Sequence, residues 1–143
     1  MEIRKLRSNM KSNPSQFSHL KDGLTALREK RYFDAHEDWE IAWKEMTGDR
    51  KLFLQAMIQL SVGAYHYTNE NRTGCGNLWK KALTKCNRIL ENSLLNDSGI
   101  VTELKDILEE CLEVLAQNNS PLRIVERAAN NIISDKWLNL MSS

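Results

Sequence analysis

The segment LFLQAMIQLSVGAYHY, residues 52–67, constrains the fold more than any other stretch of the chain. It is apolar nearly all round, so as a helix it has to be enclosed by other helices. Yet Gln55, Gln59 and His66 stand at i, i+4 and i+11, with Val62 between them, on one side of that helix. The preceding segment FDAHEDWEIAW carries a matching feature. Phe33, His36, Glu40 and Trp43 fall at i, i+3, i+7 and i+10, which places His36 and Glu40 on one face with two aromatics that favour burial. Glu37 borders that face. Two antiparallel helices joined by a tight turn would pack the two stripes together.

The rest of the chain reads as helix as well. Apolar residues recur at helical spacing over residues 15–31, 32–46, 49–70, 75–92, 100–117 and 122–140. Gly48 suits a C-terminal cap and Asp49 an N-cap, the stretch 71–74 a turn, and Ser120-Pro121 an N-cap followed by a first helical residue. No strand-like alternation survives. Two prolines and six glycines are also few for an all-β chain. The fold class is therefore all-α: a single compact bundle of five to six helices, mostly antiparallel neighbours, around a central buried helix at about 49–70. A basic flexible arm is expected over residues 1–14 and one helical domain over 15–143, with C-terminal helices within 98–140. Phe33-x-Ala35 with Trp39, and Leu78-x3-Ala82, resemble the packing of tetratricopeptide hairpins, but no 34-residue period fits the chain, which argues against a repeat array. Trp39 and Trp79 read as core residues.

Composition excludes several classes. A net charge of +1 gives no global field to steer nucleic acid or anionic membranes, although Arg4, Lys5, Arg7 and Lys11 against Glu2 make residues 1–13 locally +3. No window approaches the roughly 18 apolar residues of a membrane helix, and no secretory h-region is visible. Three cysteines without a Cys-x-x-Cys pair fit the reducing cytoplasm. All three read as small core hydrophobes. A protein partner or self-association remains open.

A buried carboxylate is costly unless paired or hydrogen-bonded. Glu40 therefore calls for partners, and His36, Gln59 or His66 could supply them. Three readings follow. One is a structural hydrogen-bond network that sets the register of the helix pair. A second is a pocket for a small molecule or partner group. The third is a metal-dependent, hydrolase-like site with a divalent metal held by His36, Glu40 and His66, and Glu37 as a further ligand or base. His36-Glu37-Asp38-Trp39-Glu40 ends in Glu where the metalloprotease motif needs His, and the Glu-x-x-His of di-iron bundles is absent. No phosphate loop is present. No cysteine shares the stripe. The first two readings together describe a non-enzymatic binding or interaction module.

The combination Arg31-Tyr32-Phe33-x2-His36-Glu37-x2-Glu40-x2-Trp43, then Phe53-x-Gln55-x2-Ile58-Gln59-x6-His66, then Asn71-x2-Gly74 and Leu78, resembles a family known only as a domain of unknown function, family three hundred and nine. The resemblance covers about residues 17–92. It implies an all-helical bundle and no particular activity. The family pattern falls here on His36, Glu37, Glu40, Trp43, Gln55, Gln59 and His66. The sequence departs from it at Ala56, where the family usually has Gly, and at Cys75, where it usually has Ala.

Overall fold

In a computed structural model, residues 14–92, 98–131 and 135–142 are described, and they form helices with no strand. The helices are α1 (Pro14–Arg28), α2 (Tyr32–Trp43), α3 (Gly48–Thr68), α4 (Arg72–Asn92), α5 (Ser98–Ala116), α6 (Leu122–Asn131) and α7 (Asp135–Ser142). Apart from Pro14, which opens α1, the expected basic arm lies outside the described residues. Among the described residues the count is seven, against the expected five to six: the segment read as one helix over 122–140 carries both α6 and α7. Gly48 is not a cap that ends the second helix. It opens α3 with φ +69°, a left-handed value that glycine adopts without a Cβ clash.

Three of the inter-helix connections share one device, and in the α5–α6 connection it is Asn118 at φ +62° with the Asn119 N–H donating to the Val114 carbonyl at 3.1 Å. At the end of α1, Lys30 takes φ +65° and the Arg31 N–H donates to the Ala26 carbonyl at 2.8 Å. At the end of α3, Glu70 takes φ +61° and the Asn71 N–H donates to the His66 carbonyl at 2.8 Å. A left-handed residue followed by this backward bond satisfies the last carbonyls of a helix and reverses the chain. The next helix then starts at once, because Arg31 and Asn71 accept from the N–H groups of Ala35 and Cys75. Asn71 adds a side-chain cap: its Oδ1 accepts the Gly74 N–H at 2.9 Å. A Cβ at Gly74 would lie 2.5 Å from the Asn71 amide nitrogen, so Asn71 and Gly74 work as a pair.

The packing inside the two hairpins is also the same. The Trp39 indole N–H donates to the Leu20 carbonyl at 3.1 Å, and the Trp79 indole N–H donates to the Leu60 carbonyl at 3.1 Å. Each indole lies against a glycine of the facing helix. A Cβ at Gly23 would sit 2.2 Å from Trp39 Nε1, and one at Gly63 would sit 2.3 Å from Trp79 Nε1. Leu20 and Leu60, Gly23 and Gly63, Lys30 and Glu70, Trp39 and Trp79, and Ala42 and Ala82 are all forty residues apart. The α1–α2 hairpin is thus repeated as the α3–α4 hairpin. This is a two-copy repeat at a spacing the 34-residue template does not test.

Successive helices pack from α1 to α5, and α6 and α7 fold back onto α1 and α3. Arg28 Nε donates to the Ala129 carbonyl at 3.1 Å, and the Trp39 and Trp137 rings meet at 5.6 Å. One core runs through all of these elements, from Leu20, Leu24 and Leu27 through Phe53, Leu54, Met57 and Leu60 to Leu104, Leu108, Val125 and Met141. α3 has nine buried residues, in line with its all-round apolar character. No helix among the described residues is long and apolar enough to cross a membrane.

Candidate functional site

The polar stripe of α3 is reached by α2 because the Gly48 turn folds α2 back along it. His36, Glu40 and Trp43 of α2, Gln55 and Gln59 of α3, and the apolar Ile58, Val62 and Leu78 enclose a cavity of about 220 Å³. Leu78 comes from the first turns of α4, so the second hairpin provides part of the floor.

The imidazole of His36 is held within its own helix. Nε2 lies 3.0 Å from Glu40 Oε2, and Nδ1 lies 3.3 Å from the Phe33 carbonyl oxygen. Both ring nitrogens therefore face an oxygen acceptor. The His36 side chain is 19% exposed and that of Glu40 is 50% exposed. The expectation of a buried Glu40 carboxylate is corrected by this geometry. The residue lies on the solvent flank of the stripe, and its partner among the described residues is His36. Phe33, expected inside, is 44% exposed and rests against the His36 and Tyr65 rings, each at 5.1 Å.

Two residues that line the cavity carry unmatched polar atoms. Trp43 Nε1 and Gln59 Oε1 are both buried, and neither has a hydrogen-bond partner. Lys51 Nζ sits 4.2 Å from the centre of the Trp43 ring and covers its outer face. Buried polar atoms in native structures are overwhelmingly paired, so these two call for a physical account, as do Asp49 Oδ2, Arg50 Nε and Trp137 Nε1, which are also buried without a partner.

Glu37 is exposed and does not line the cavity. His66 does not line it either. It lies seven residues beyond Gln59 on α3, about 10 Å along the axis at 1.5 Å per residue. His36 and Glu40 meet, but His66 is not brought to them, so the proposed ligand set is not assembled. Among the described residues, the group with metal-ligating proximity is a different one. His19 and Asp22 of α1 and Asp38 of α2 have ligand atoms within 4.8 Å of one another, with His19 Nδ1 at 3.2 Å from Asp38 Oδ1. His19-x2-Asp22 at helical spacing was the available sequence signal for it. By the forty-residue shift these positions correspond to Gln59, Val62 and Leu78 of the second hairpin, which face the cavity.

The cysteines are free and fully buried. Burial pushes the thiols of Cys75, Cys86 and Cys111 up to about 12, which keeps them protonated and non-nucleophilic.

The residues that build the cavity lie within, or close to, a recognised sequence unit. Residues 20–78 match the family model described as a domain of unknown function (DUF309). No curated protein matches the chain, and no solved structure does. The matched stretch runs from Leu20, the acceptor of the Trp39 indole, to Leu78 on the cavity floor.

Proposed function

We propose that this chain is a non-enzymatic binding module whose site is the cavity between α2 and α3, entered past His36 and Glu40. The observation that carries the reading is that two of the residues lining it, Trp43 and Gln59, each hold a buried polar atom without a partner, Nε1 and Oε1. In a purely structural network such atoms would be bonded to each other or to neighbours. An orphaned buried polar group costs about 1–3 kcal/mol, a cost that persists where the group serves a ligand. The metal-hydrolase alternative has less support, since His66 stands away from the pair and both His36 nitrogens already face oxygens.

The test is the stability of Gln59→Leu, read by chemical denaturation. If the amide serves binding, the apolar isostere removes an unpaired group, and the variant is expected to be as stable as the parent or about 1 kcal/mol more stable. A loss of about 1–3 kcal/mol would mean that Gln59 is a working member of a structural network, and the binding reading would fall.

A further inference from the structure

Three ligand-type side chains of the first hairpin converge where the hairpin itself is most firmly joined. We propose that His19, Asp22 and Asp38 form a site for a divalent metal ion of the zinc type, with one imidazole nitrogen and two carboxylate oxygens as its protein ligands. The trio shares no residue with the cavity between α2 and α3, so the proposal stands apart from the binding reading.

The spacing is close to that of a metal shell. One ligand atom from each residue lies within 4.8 Å of the other two, and His19 Nδ1 is 3.2 Å from Asp38 Oδ1. Ligand atoms bound to a tetrahedral ion are about 3.3–3.6 Å apart, so His19 and Asp38 already stand at the spacing required. Asp22 has at most about 1.5 Å to close. Its carboxylate is exposed and has no ion-pair or hydrogen-bond partner among the described residues, so nothing there holds it back. The scaffold fixes the rest. Each of the three directly precedes a residue of the indole joint: Leu20, Gly23 and Trp39. The bond from Trp39 to Leu20 at 3.1 Å, and the indole against Gly23, set the two helices opposite each other at this level. Ligands on packed helices keep a fixed geometry better than ligands on loops. The second hairpin shows that the joint does not itself ask for these residues. There Gln59, Val62 and Leu78 precede the same Leu, Gly and Trp. The chemistry selects the ion. Two carboxylates supply charge that a divalent cation neutralises, and an imidazole ligand favours zinc-type ions over Mg²⁺ and Ca²⁺, which take oxygen ligands. His19 and Asp38 are 28% and 29% exposed, so an ion can enter from solvent, and three protein ligands leave a fourth position to water.

The experiment titrates Zn²⁺, and separately Mg²⁺, into the full chain, untagged and stripped with a chelator, by isothermal calorimetry. The His19 ring resonances, assigned by their loss in His19→Gln, are followed in parallel by NMR. One Zn²⁺ per chain is expected, with the His19 resonances changing as the site fills and Mg²⁺ at least tenfold weaker. Asp22→Asn is expected to weaken Zn²⁺ binding at least tenfold. That side chain has no partner to lose, so the metal-free variant should keep the parent's Tm. His36→Gln removes the other His–carboxylate pair and is expected to leave the affinity within twofold. A loss of less than tenfold in Asp22→Asn would reduce the trio to a His19–Asp38 ion pair and overturn the proposal. So would a loss of more than twofold in His36→Gln, Mg²⁺ binding within tenfold of Zn²⁺, or no Zn²⁺ binding tighter than about 1 mM.

Discussion

The two hairpins share a backbone plan and differ in the faces they turn outward. In both, an indole on the second helix is laid against a glycine on the first and bonded to a carbonyl three residues before that glycine. The positions around this device diverge. His19, Asp22 and Asp38 of the first hairpin become Gln59, Val62 and Leu78 of the second, because the second set is covered by α2 and the first is not. His36 and Glu40 become Gly76 and Lys80, which line a separate groove between α4 and α5 with Arg72 and Asn77. The lesson is that the joint inside each hairpin is fixed by a few packing residues, while the joints between hairpins are free to take on chemistry. In repeat architectures the same division separates the buried repeat interfaces from polar end faces.

The largest effect expected to separate the hairpins comes from alkali. Cys75 and Cys86 stand where the first hairpin has Ala35 and Met46, and Cys111 lies beyond, on α5. Their thiols are raised from 9.0 to about 12 by burial. The folded chain therefore holds protons that the unfolded chain releases. The stabilisation is complete below about pH 9 and is lost as pH rises from there towards about 12. A slope of about 1 kcal/mol per pH unit per thiol is expected in denaturation curves. Cys75→Ala with Cys86→Met, which makes the second hairpin resemble the first, should remove about two thirds of that slope. An unchanged slope would show that other groups govern the alkaline limit.

Next in size is the indole joint itself. Gly23→Ala and Gly63→Ala each gain up to about 1 kcal/mol of helix propensity. Each also pushes a fully buried indole aside, at about 3 kcal/mol for overpacking. A net loss of about 2 kcal/mol is expected, equal in the two hairpins, by chemical denaturation. Adding Trp39→Phe to Gly23→Ala should recover part of it, as a favourable coupling in a double-mutant cycle. Unequal losses would break the equivalence of the two copies.

The smallest effect concerns the uncovered face. Changing His19→Gln, Asp22→Val and Asp38→Leu gives the first hairpin the face of the second. Stability should move by no more than about 0.5 kcal/mol, since these are surface sites. The new apolar patch has no covering helix among the described residues, so self-association should exceed that of the parent in light scattering. A variant no more associated than the parent would mean that the polar trio is not what keeps this face single.

Much of this was legible in the residues. Helical spacing located the cores of α1 to α5, and the all-round apolar character of residues 52–67 marked α3 as central. The stripes on α2 and α3 pointed to the walls of the cavity. Other features were not legible, for physical reasons. Glu40 shares a flank with Phe33, and a wheel alone does not say which edge of a stripe the neighbouring helix covers. His66 shares a side with Gln55, yet an angle around an axis carries no information about the distance along it. The duplication hides because only Leu, Gly, Trp and Ala recur, the residues the joint needs, while every surface position between them differs. Leu78 on the cavity floor could be placed only once the third element of the site was known to be α4.

The contact between Trp39 and Trp137 carries a consequence for how the chain is made. Each hairpin closes through partners nineteen residues apart, so it can assemble as soon as its own stretch has left the ribosome. The clasp formed by Arg28 with Ala129 and by Trp39 with Trp137 joins positions about a hundred residues apart. Until α6 and α7 have been synthesised, the first hairpin waits with its tryptophan face uncovered. Completion of the fold is thus timed by the arrival of its most distant helices, and the nascent chain is most open to capture by chaperones in that interval.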